Sequence, residues 1–390
     1  MKNILLLNKI AKVGTDRLDP ATYAFGTDVT APEGILVRSA KMHDMTFNPE
    51  LLAIARAGAG VNNIPIDRCA EEGIVVFNTP GANANGVKEL AVCALLLAAR
   101  RVVDGVVWAR ELAGTADVAK QVEAGKSQFG GTELQGKTLG VIGLGAIGGL
   151  VANAAVALGM NVIGCDPYLS VEGAWNLDHH ICHAGSYEEV YAKADYLTLH
   201  VPATPTTTNM ICTDSIAMMK NGVKIINLAR AELVNAADLA AAMESGKVSA
   251  YVTDFPTEAT VAIPGAVTIP HLGASTEESE DNCAVMAADE LDEYLRRGNI
   301  RNSVNYPAVS MAVDAKAQSR VCVLHANVPA VLTGISGAFA EKGINIENMV
   351  NKSRGENAYT MADISADTTD DILETIRAID GVRRVRVVRF

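Results

Sequence analysis

Three polar residues, Arg230, Glu258 and His271, each stand just past an apolar run that reads as a strand: KIINLAR (224–230), SAYVTDFPTE (249–258) and VTIPH (267–271). A guanidinium is a planar two-pronged fork for a carboxylate. An imidazole titrates near neutrality and can take or give a proton. A carboxylate beside it can orient the ring and stabilise its protonated form. Such a set suits oxidation of an alcohol next to a carboxylate, with one group to hold the carboxylate and a base to take the hydroxyl proton. Each residue also has a plainer reading alone: Arg230 in a surface ion pair, Glu258 a loop acid, His271 a satisfied structural histidine. Three of them at strand ends favour chemistry, because open α/β sheets bind ligands beyond the carboxyl ends of their strands.

The hydride needs an acceptor, and the chain supplies a place for one. GLGAIG (143–148) follows the apolar run LGVI and opens a helix. Gly143, Gly145, Ala146, Ile147 and Gly148 form the turn on which a dinucleotide pyrophosphate would rest, at the positive end of the helix. The next strand, NVIGCD, ends in Asp166, eighteen residues after Gly148. That acid is expected to bind the adenosine ribose hydroxyls and to repel a 2′-phosphate. No arginine follows in DPYLS, so the expected cofactor is NAD.

These residues need sheets to carry them. NILLLN (3–8), GILVRS (34–39), LLAIARAG (51–58) and IVVFNTP (74–80) read as strands of a parallel sheet covered on both faces. A long helix is expected from about Val87 to Leu112. A second α/β unit runs over roughly 134–275. A further helix, 275–298, opens on Ser275 and Glu278 as a capping box and ends at Gly298; it returns the chain to the first domain. After a small, polar stretch at 308–318, the order β-α-β-β-α-β follows, a ferredoxin-like module. The expected fold class is α/β: two doubly wound parallel-sheet domains of Rossmann/flavodoxin-like type plus a C-terminal ferredoxin-like domain. The expected boundaries are 1–97 with 283–310 for a discontinuous substrate-binding domain, 98–282 for the dinucleotide domain and 318–390 for the last.

Bulk properties narrow the partners. The net charge of −12 argues against a nucleic-acid surface, and an anionic substrate must be drawn in by local basic residues. Seven scattered cysteines without a CxxC pair fit a reducing, cytoplasmic setting. The longest apolar run, 90–99, is roughly half a membrane span and is flanked by Glu89 and Arg100, so it reads as a buried helix and no membrane partner is expected. HHICH (179–183) has metal-ligand residue types, but alternate side chains of a short strand point to opposite faces, and no metal is expected there.

NLARAELVN, DFPTEA, IPHLGAS and HVPATPTTTNM (200–210) resemble the signatures of the D-isomer-specific 2-hydroxyacid dehydrogenases, and the resemblance covers the whole chain. It implies catalysis by Arg230, Glu258 and His271. It adds His200, Val201, Pro202, Leu228, Ala229, Asp254, Gly273 and Ala274 to the cofactor-binding set. VRSAKM, RAGAGVNNI and NTPGANANGVKEL are similar to the branch whose small 2-hydroxy or 2-oxo acid carries a phosphate. Loops of the first domain are then expected to face the cleft, with Arg38, Ser39, Ala59, Gly60 and Lys88 binding substrate. Other readings stay open: a dehydrogenase of another 2-hydroxy acid, or a non-catalytic NAD-sensing protein. The last seventy residues resemble an ACT domain, and HANVP with GINIEN are similar to its serine-binding pattern. That implies L-serine as an effector at His325, Asn327 and Asn345, across a homodimer or homotetramer. Four departures stand out: Ala231-Glu232 for a Gly-Gly pair, Ala259 for a proline, Thr253-Asp254-Phe255 for Asp-Val-Phe, and Ala330 for a glycine.

Overall fold

A computed structural model describes all of residues 1–390. The chain forms two compact units: residues 1–82 with 280–390, and residues 83–279. The expected boundary at 97/98 falls inside a helix, Ala84–Ala99, whereas the units divide just ahead of it.

In the first unit, strands β1 (Lys2–Leu7), β2 (Tyr23–Gly26), β3 (Gly34–Val37), β4 (Ala53–Arg56) and β5 (Val75–Phe77) make an all-parallel sheet in the order β2-β1-β3-β4-β5. β3 is buried at every position, as its continuous apolar run dictates. β2 escapes the pattern reading because it is a four-residue edge strand with Phe25 exposed. The helix Glu277–Arg297 lays Ala287, Ala288, Leu291, Tyr294 and Leu295 on this sheet, against Ile4, Leu36 and Phe77. Its N-terminal cap lies one residue later than expected: the Thr276 hydroxyl accepts from the Ser279 amide at 3.1 Å and donates to the Ser279 hydroxyl at 2.9 Å.

The second unit holds β6 (Thr138–Ile142), β7 (Asn161–Cys165), β8 (Cys182–His183), β9 (Tyr196–Leu199), β10 (Val223–Asn227), β11 (Val248–Thr253) and β12 (Ala266–Thr268). All pair in parallel, in the order β12-β11-β10-β9-β6-β7-β8. The helices Ala84–Ala99 and Ala146–Ala157 cover it, and their buried alanines (Ala91, Ala94, Ala98, Ala152, Ala155) allow close approach. The single helix expected over 87–112 is two. It breaks at Arg100, which is extended, and resumes as Val102–Glu111. The Thr132 amide takes the Ala99 carbonyl at 2.9 Å, so a strand of chain from further along diverts the helix bond.

The C-terminal segment forms an antiparallel sheet of β13 (Ser319–Ala326), β14 (Ile346–Arg354), β15 (Asn357–Ile364) and β16 (Val382–Arg389), in the order β14-β15-β13-β16. The helices Val331–Glu341 and Asp370–Arg377 cover one face around Val323, Ile335 and Phe339. The other face is not a separate surface. Cys322, Leu324, Tyr359, Met361 and Val388 share one core with Tyr294, Ile300 and Tyr306 of the first unit.

Polar groups complete this seam at the end of the helix Glu277–Arg297. Its last carbonyls would be left unpaired by the helix itself. Arg386 donates to the Tyr294 and Leu295 carbonyls, Arg320 to that of Arg297 at 2.8 Å, and the Tyr359 hydroxyl to that of Gly298 at 2.7 Å. Arg320 is fully buried and is neutralised by a bidentate pair with Asp363, at 2.6 and 2.9 Å. Gly298 has φ +79°, and a methyl group there would meet the Cys322 sulfur at 2.7 Å, so only glycine fits the turn.

Candidate active site

The glycine turn after β6 is built for close approach. Gly143 has φ +88°, and a methyl group on it would lie 2.6 Å from the His200 carbonyl oxygen. A methyl on Gly148 would overlap the Gly143 carbonyl, while Gly145 faces open space. Ala146 and Ile147 begin the helix that this turn opens. The turn thus packs tightly beneath and leaves room above, as a pyrophosphate requires. Asp166, half-buried past β7, accepts from the Leu144 amide and the Tyr168 amide, each at 2.9 Å. Its carboxylate is therefore fixed beside the turn. His200 follows β9, and its amide donates to the Ile142 carbonyl at 2.8 Å. Its Nε2 lies 2.9 Å from the Thr198 hydroxyl, and burial lowers its pKa to about 4, which keeps the ring neutral. Val201 and Pro202 continue this segment, and the Pro202 carbonyl is held by the Thr207 hydroxyl at 2.6 Å.

At the same carboxyl-end edge of this parallel sheet, past β10, the sequence IINLAR turns on a buried asparagine. The Asn227 side chain donates to the Arg230 carbonyl at 2.8 Å and accepts from the Ala229 and Arg230 amides at 3.2 and 3.4 Å. It thereby shapes Leu228, Ala229 and Arg230 into one turn. Nothing in the spacing of charged residues marks Asn227. The Arg230 side chain is exposed, and its one hydrogen bond is to the neighbouring Ala229 carbonyl at 2.6 Å, so its fork is not consumed by an acid.

Phe255 brings the candidates together. Its ring lies 5.6 Å from the Arg230 guanidinium carbon and 4.5 Å from the His271 ring centre. The residue before Phe255, Asp254, is only 1% exposed, with Oδ1 unpaired. Burial raises its pKa, while the charges of His271 and Arg230 and the Gly273 amide oppose the rise. The adjacent Thr253 hydroxyl is already used: it donates to the Asn227 carbonyl at 2.8 Å and accepts from the Phe255 amide at 3.1 Å. The open acceptor at this turn is therefore Asp254. Gly273 is buried, and a methyl there would lie 3.3 Å from Asp254 Oδ2; Ala274 follows it, half-buried. Glu258 is not brought into this set by a bond. It is exposed at the first turn of the helix Glu258–Val261, and it makes no hydrogen bond or ion pair with His271.

In the first unit, Arg38 pairs with Glu280 at 2.7 Å, both partly exposed. Asn8, in the left-handed region at φ +70°, accepts from the Ser39 and Ala40 amides at 3.0 and 2.6 Å and so shapes that loop. The Ala59 carbonyl accepts from the Asn78 amide group at 2.6 Å, and the Gly58 carbonyl from the Thr79 amide at 3.2 Å. The N–H groups of Ala59 and Gly60 take no acceptor from the chain. Gly58 gives way to Arg56, whose guanidinium a methyl at 58 would strike.

Lys88 departs from its expected role. It is the fifth residue of the helix Ala84–Ala99 and lines a groove of about 310 Å³ with Val92, Ala154, Ala157 and Leu158. Those partners mark the far end of the helix Ala146–Ala157 from the Gly143–Gly148 turn, and Lys88 pairs with Glu89 at 3.6 Å. Helical spacing, not the loop before it, sets where its side chain points.

In the C-terminal sheet, His325 is buried, with Nε2 2.9 Å from the Thr360 hydroxyl and Nδ1 2.7 Å from the Ala326 carbonyl. Asn327 is exposed and donates to the Gly355 carbonyl at 3.1 Å. Asn345 lies at the opposite end of the strands: its carbonyl accepts from the Ser365 amide at 3.2 Å, seven residues along β15 from Ala358, which pairs with His325. That separation is about 24 Å at strand spacing, so one chain does not bring the three together. Ala330 has φ +69°, in the left-handed region where glycine is at ease. The HHICH stretch contributes only part of an exposed turn, in which Asp178 accepts from His180 at 2.8 Å beside His179.

A glycine turn with an acid at the next strand's end, and an arginine and a histidine across one aromatic ring, define a dinucleotide-dependent oxidoreductase. Residues 94–273 match the family described as D-isomer specific 2-hydroxyacid dehydrogenase, NAD binding domain. D-3-phosphoglycerate dehydrogenase 1 of Saccharomyces cerevisiae is 32% identical over 335 residues, 80% of this chain and 68% of that protein. D-3-phosphoglycerate dehydrogenase of Methanocaldococcus jannaschii is 37% identical over 266 residues, 67% of this chain and 48% of that protein, so the match spans about half of that relative. The crystal structure of NAD⁺-bound 3-phosphoglycerate dehydrogenase in Entamoeba histolytica superposes with TM-score 0.60 at 25% identity, over 78% of this chain and 98% of that one. The chain belongs to the D-isomer specific 2-hydroxyacid dehydrogenase family, and its cofactor is NAD.

Proposed function

We propose that the chain interconverts 3-phospho-D-glycerate and 3-phosphohydroxypyruvate, the entry step to serine synthesis. The observation that carries the chemistry is the Phe255 ring in reach of both Arg230 and His271, next in sequence to a buried Asp254. The relatives' names carry the choice of substrate. NAD, when bound, accepts the hydride. Arg230 holds the substrate carboxylate with its uncommitted fork. His271 takes the hydroxyl proton on oxidation and returns it on reduction. Glu258 is proposed to reach His271 only in the substrate complex, since such hydrogen bonds often form late. Asp254 accepts from the carboxamide N–H of the nicotinamide, which satisfies its orphaned Oδ1. Asp166 binds the adenosine ribose. In the first unit, Arg38 exchanges Glu280 for the substrate phosphate, with Ser39 and the N–H groups of Ala59 and Gly60 assisting.

Three finer points belong to the same proposal. The helix Val102–Glu111 exposes Val102, Val103, Val106 and Val107, an apolar face suited to a second copy in a homodimer or homotetramer. The separation of Asn327 from Asn345 suits an ACT-type site for L-serine completed by a second copy. All seven cysteines are free thiols, which supports a reducing, cytoplasmic setting.

The test follows NADH absorbance over a panel of 2-oxo acids. 3-Phosphohydroxypyruvate is expected to be preferred, and Arg38→Ala to raise its KM strongly while barely changing that of hydroxypyruvate. Equal losses on both would remove Arg38 from the phosphate. Preference for an unphosphorylated acid would overturn the substrate assignment.

A further inference from the structure

The segment 302–305 lies between the C-terminal sheet and the loop that carries Ala59 and Gly60. On one side it adds to β5, the edge of the first sheet. The Val304 amide donates to the Val76 carbonyl at 2.9 Å, and Ser303 bridges Phe77. The Asn305 side chain accepts from the Val76 amide at 2.9 Å and donates to the Ile74 carbonyl at 2.8 Å. The ladder ends where the Asn78 amide donates to the Asn302 carbonyl at 3.2 Å. Asn78 is the residue whose side chain then grips the Ala59 carbonyl.

On its other side the segment is clamped. Asn302 Nδ2 donates to Glu290 Oε1 at 2.5 Å, a carboxylate only 6% exposed whose second oxygen has no partner. Arg354 donates to the Ser303 carbonyl at 2.5 Å, and the Asn357 side chain to the Asn305 carbonyl at 2.8 Å. Both belong to the β14–β15 hairpin, and Asn327 holds that hairpin through the Gly355 and Glu356 carbonyls. A buried, unsatisfied carboxylate is costly to keep. Here it fixes one asparagine side chain in place. Backbone carbonyls then pass that placement to Asn78 and so to the peptide plane of Ala59. Rotating that plane would turn the N–H group of Gly60, which shares it, away from an anion.

We propose that Asn302 is a positioning residue for the Ala59–Gly60 loop and that Arg354, on the C-terminal sheet, supports it. Substrate affinity then depends on groups that never touch substrate. The inference rests on the proposed reading of this loop as an anion site.

Two variants of the full-length chain test it. Asn302→Ala releases Glu290 but keeps the backbone carbonyl. Arg354→Met keeps the stem's packing but loses the bond to Ser303. Each is expected to raise the KM for 3-phosphohydroxypyruvate about five- to tenfold, the scale of one misplaced hydrogen bond. The kcat should stay within about twofold, and the Kd for NADH should not change, because the cofactor residues lie in the other unit. A merely structural role would lower kcat through loss of folded enzyme and leave KM alone, and that result would overturn the proposal. Calorimetric titration of 3-phosphoglycerate onto the NADH-bound protein gives a second reading without turnover. Weakened binding in Asn302→Ala with no turnover in the unaltered protein would sink the proposed reaction but not this inference. Unchanged binding in both variants would sink the inference.

Discussion

Replacing Glu290 by glutamine should make the protein more stable in mild alkali and leave it nearly unchanged in mild acid. Glu290 is 6% exposed; Oε1 takes the Asn302 donor and Oε2 has no partner. Burial pushes its carboxyl from the ordinary 4.5 up to about 7; Asn302 and Arg301 pull the other way, and Asp289 adds to the rise. The folded chain therefore binds this proton more tightly than the unfolded chain does. The stability that the proton provides is complete below about pH 4.5 and is lost as pH rises to about 7. At roughly 1.4 kcal/mol per pH unit between the two values, the loss is about 3 kcal/mol. Glutamine resembles the protonated acid in size and charge and keeps an acceptor for Asn302, so it should escape the loss. The assay is urea unfolding at about pH 5 and about pH 8, with the first unit followed by hydrogen exchange in peptides of the helix Glu277–Arg297. The Glu290→Gln protein should match the unaltered one at the lower pH and exceed it by up to about 3 kcal/mol at the higher. A constant offset between the two proteins at both pH values would refute the reasoning, because it would show that Glu290 has the same proton occupancy folded and unfolded.

Other expectations concern the two chemical roles and one strained turn. His271→Ala should cut turnover by about 10²- to 10⁴-fold with little change in NADH affinity by fluorescence titration; near-normal turnover would remove it as the base. Asp166→Ala should weaken NAD and improve relative use of NADP, since the charge that repels a 2′-phosphate is gone; an unchanged preference in steady-state kinetics would place the ribose elsewhere. Ala330→Gly should raise stability by about 1 kcal/mol by relieving the left-handed residue at the start of Val331–Glu341. Thermal unfolding checks this, and calorimetry with L-serine on the same variant reads whether the turn also limits effector binding.

The sequence made the strand ends legible and the neighbours around them much less so. Arg230 and His271 could be placed because apolar runs announce parallel strands, and parallel strands deliver their far ends to one edge. Phe255 and Asn227 carry no such mark. Their importance comes from pairing of β10 with β11, which sets Asn227 beside Thr253. The family resemblance already favours Asp254 over Thr253; the structure adds the physical reason, since the threonine hydroxyl is spent on Asn227 and Phe255. Lys88 follows a glycine-rich loop in sequence, yet the helix begins at Ala84 and its turn sets the lysine beside Val92, Ala154 and Leu158, a placement that the loop could not announce. The break at Arg100 was hidden for a similar reason: Gly131 and Thr132, some thirty residues on, supply the contact that makes it. The C-terminal module was readable in its element order. Its fusion to the first core was not, because Cys322, Leu324 and Tyr359 look like any inward-facing strand residues until their partners are known.

The capped end of the helix Glu277–Arg297 bears on the order in which the chain can mature as it leaves the ribosome. The unit of residues 83–279 is contiguous and can close as soon as it has emerged. The first unit cannot. Its opening strands appear earliest, but their covering helix comes after residue 276, and that helix keeps bare carbonyls until Arg320, Tyr359 and Arg386 arrive. The strands of residues 2–77 are thus synthesised before the unit of residues 83–279 and completed after it. Until that helix and its capping residues have been made, its apolar strands lack their cover, the condition under which exposed strands misassemble.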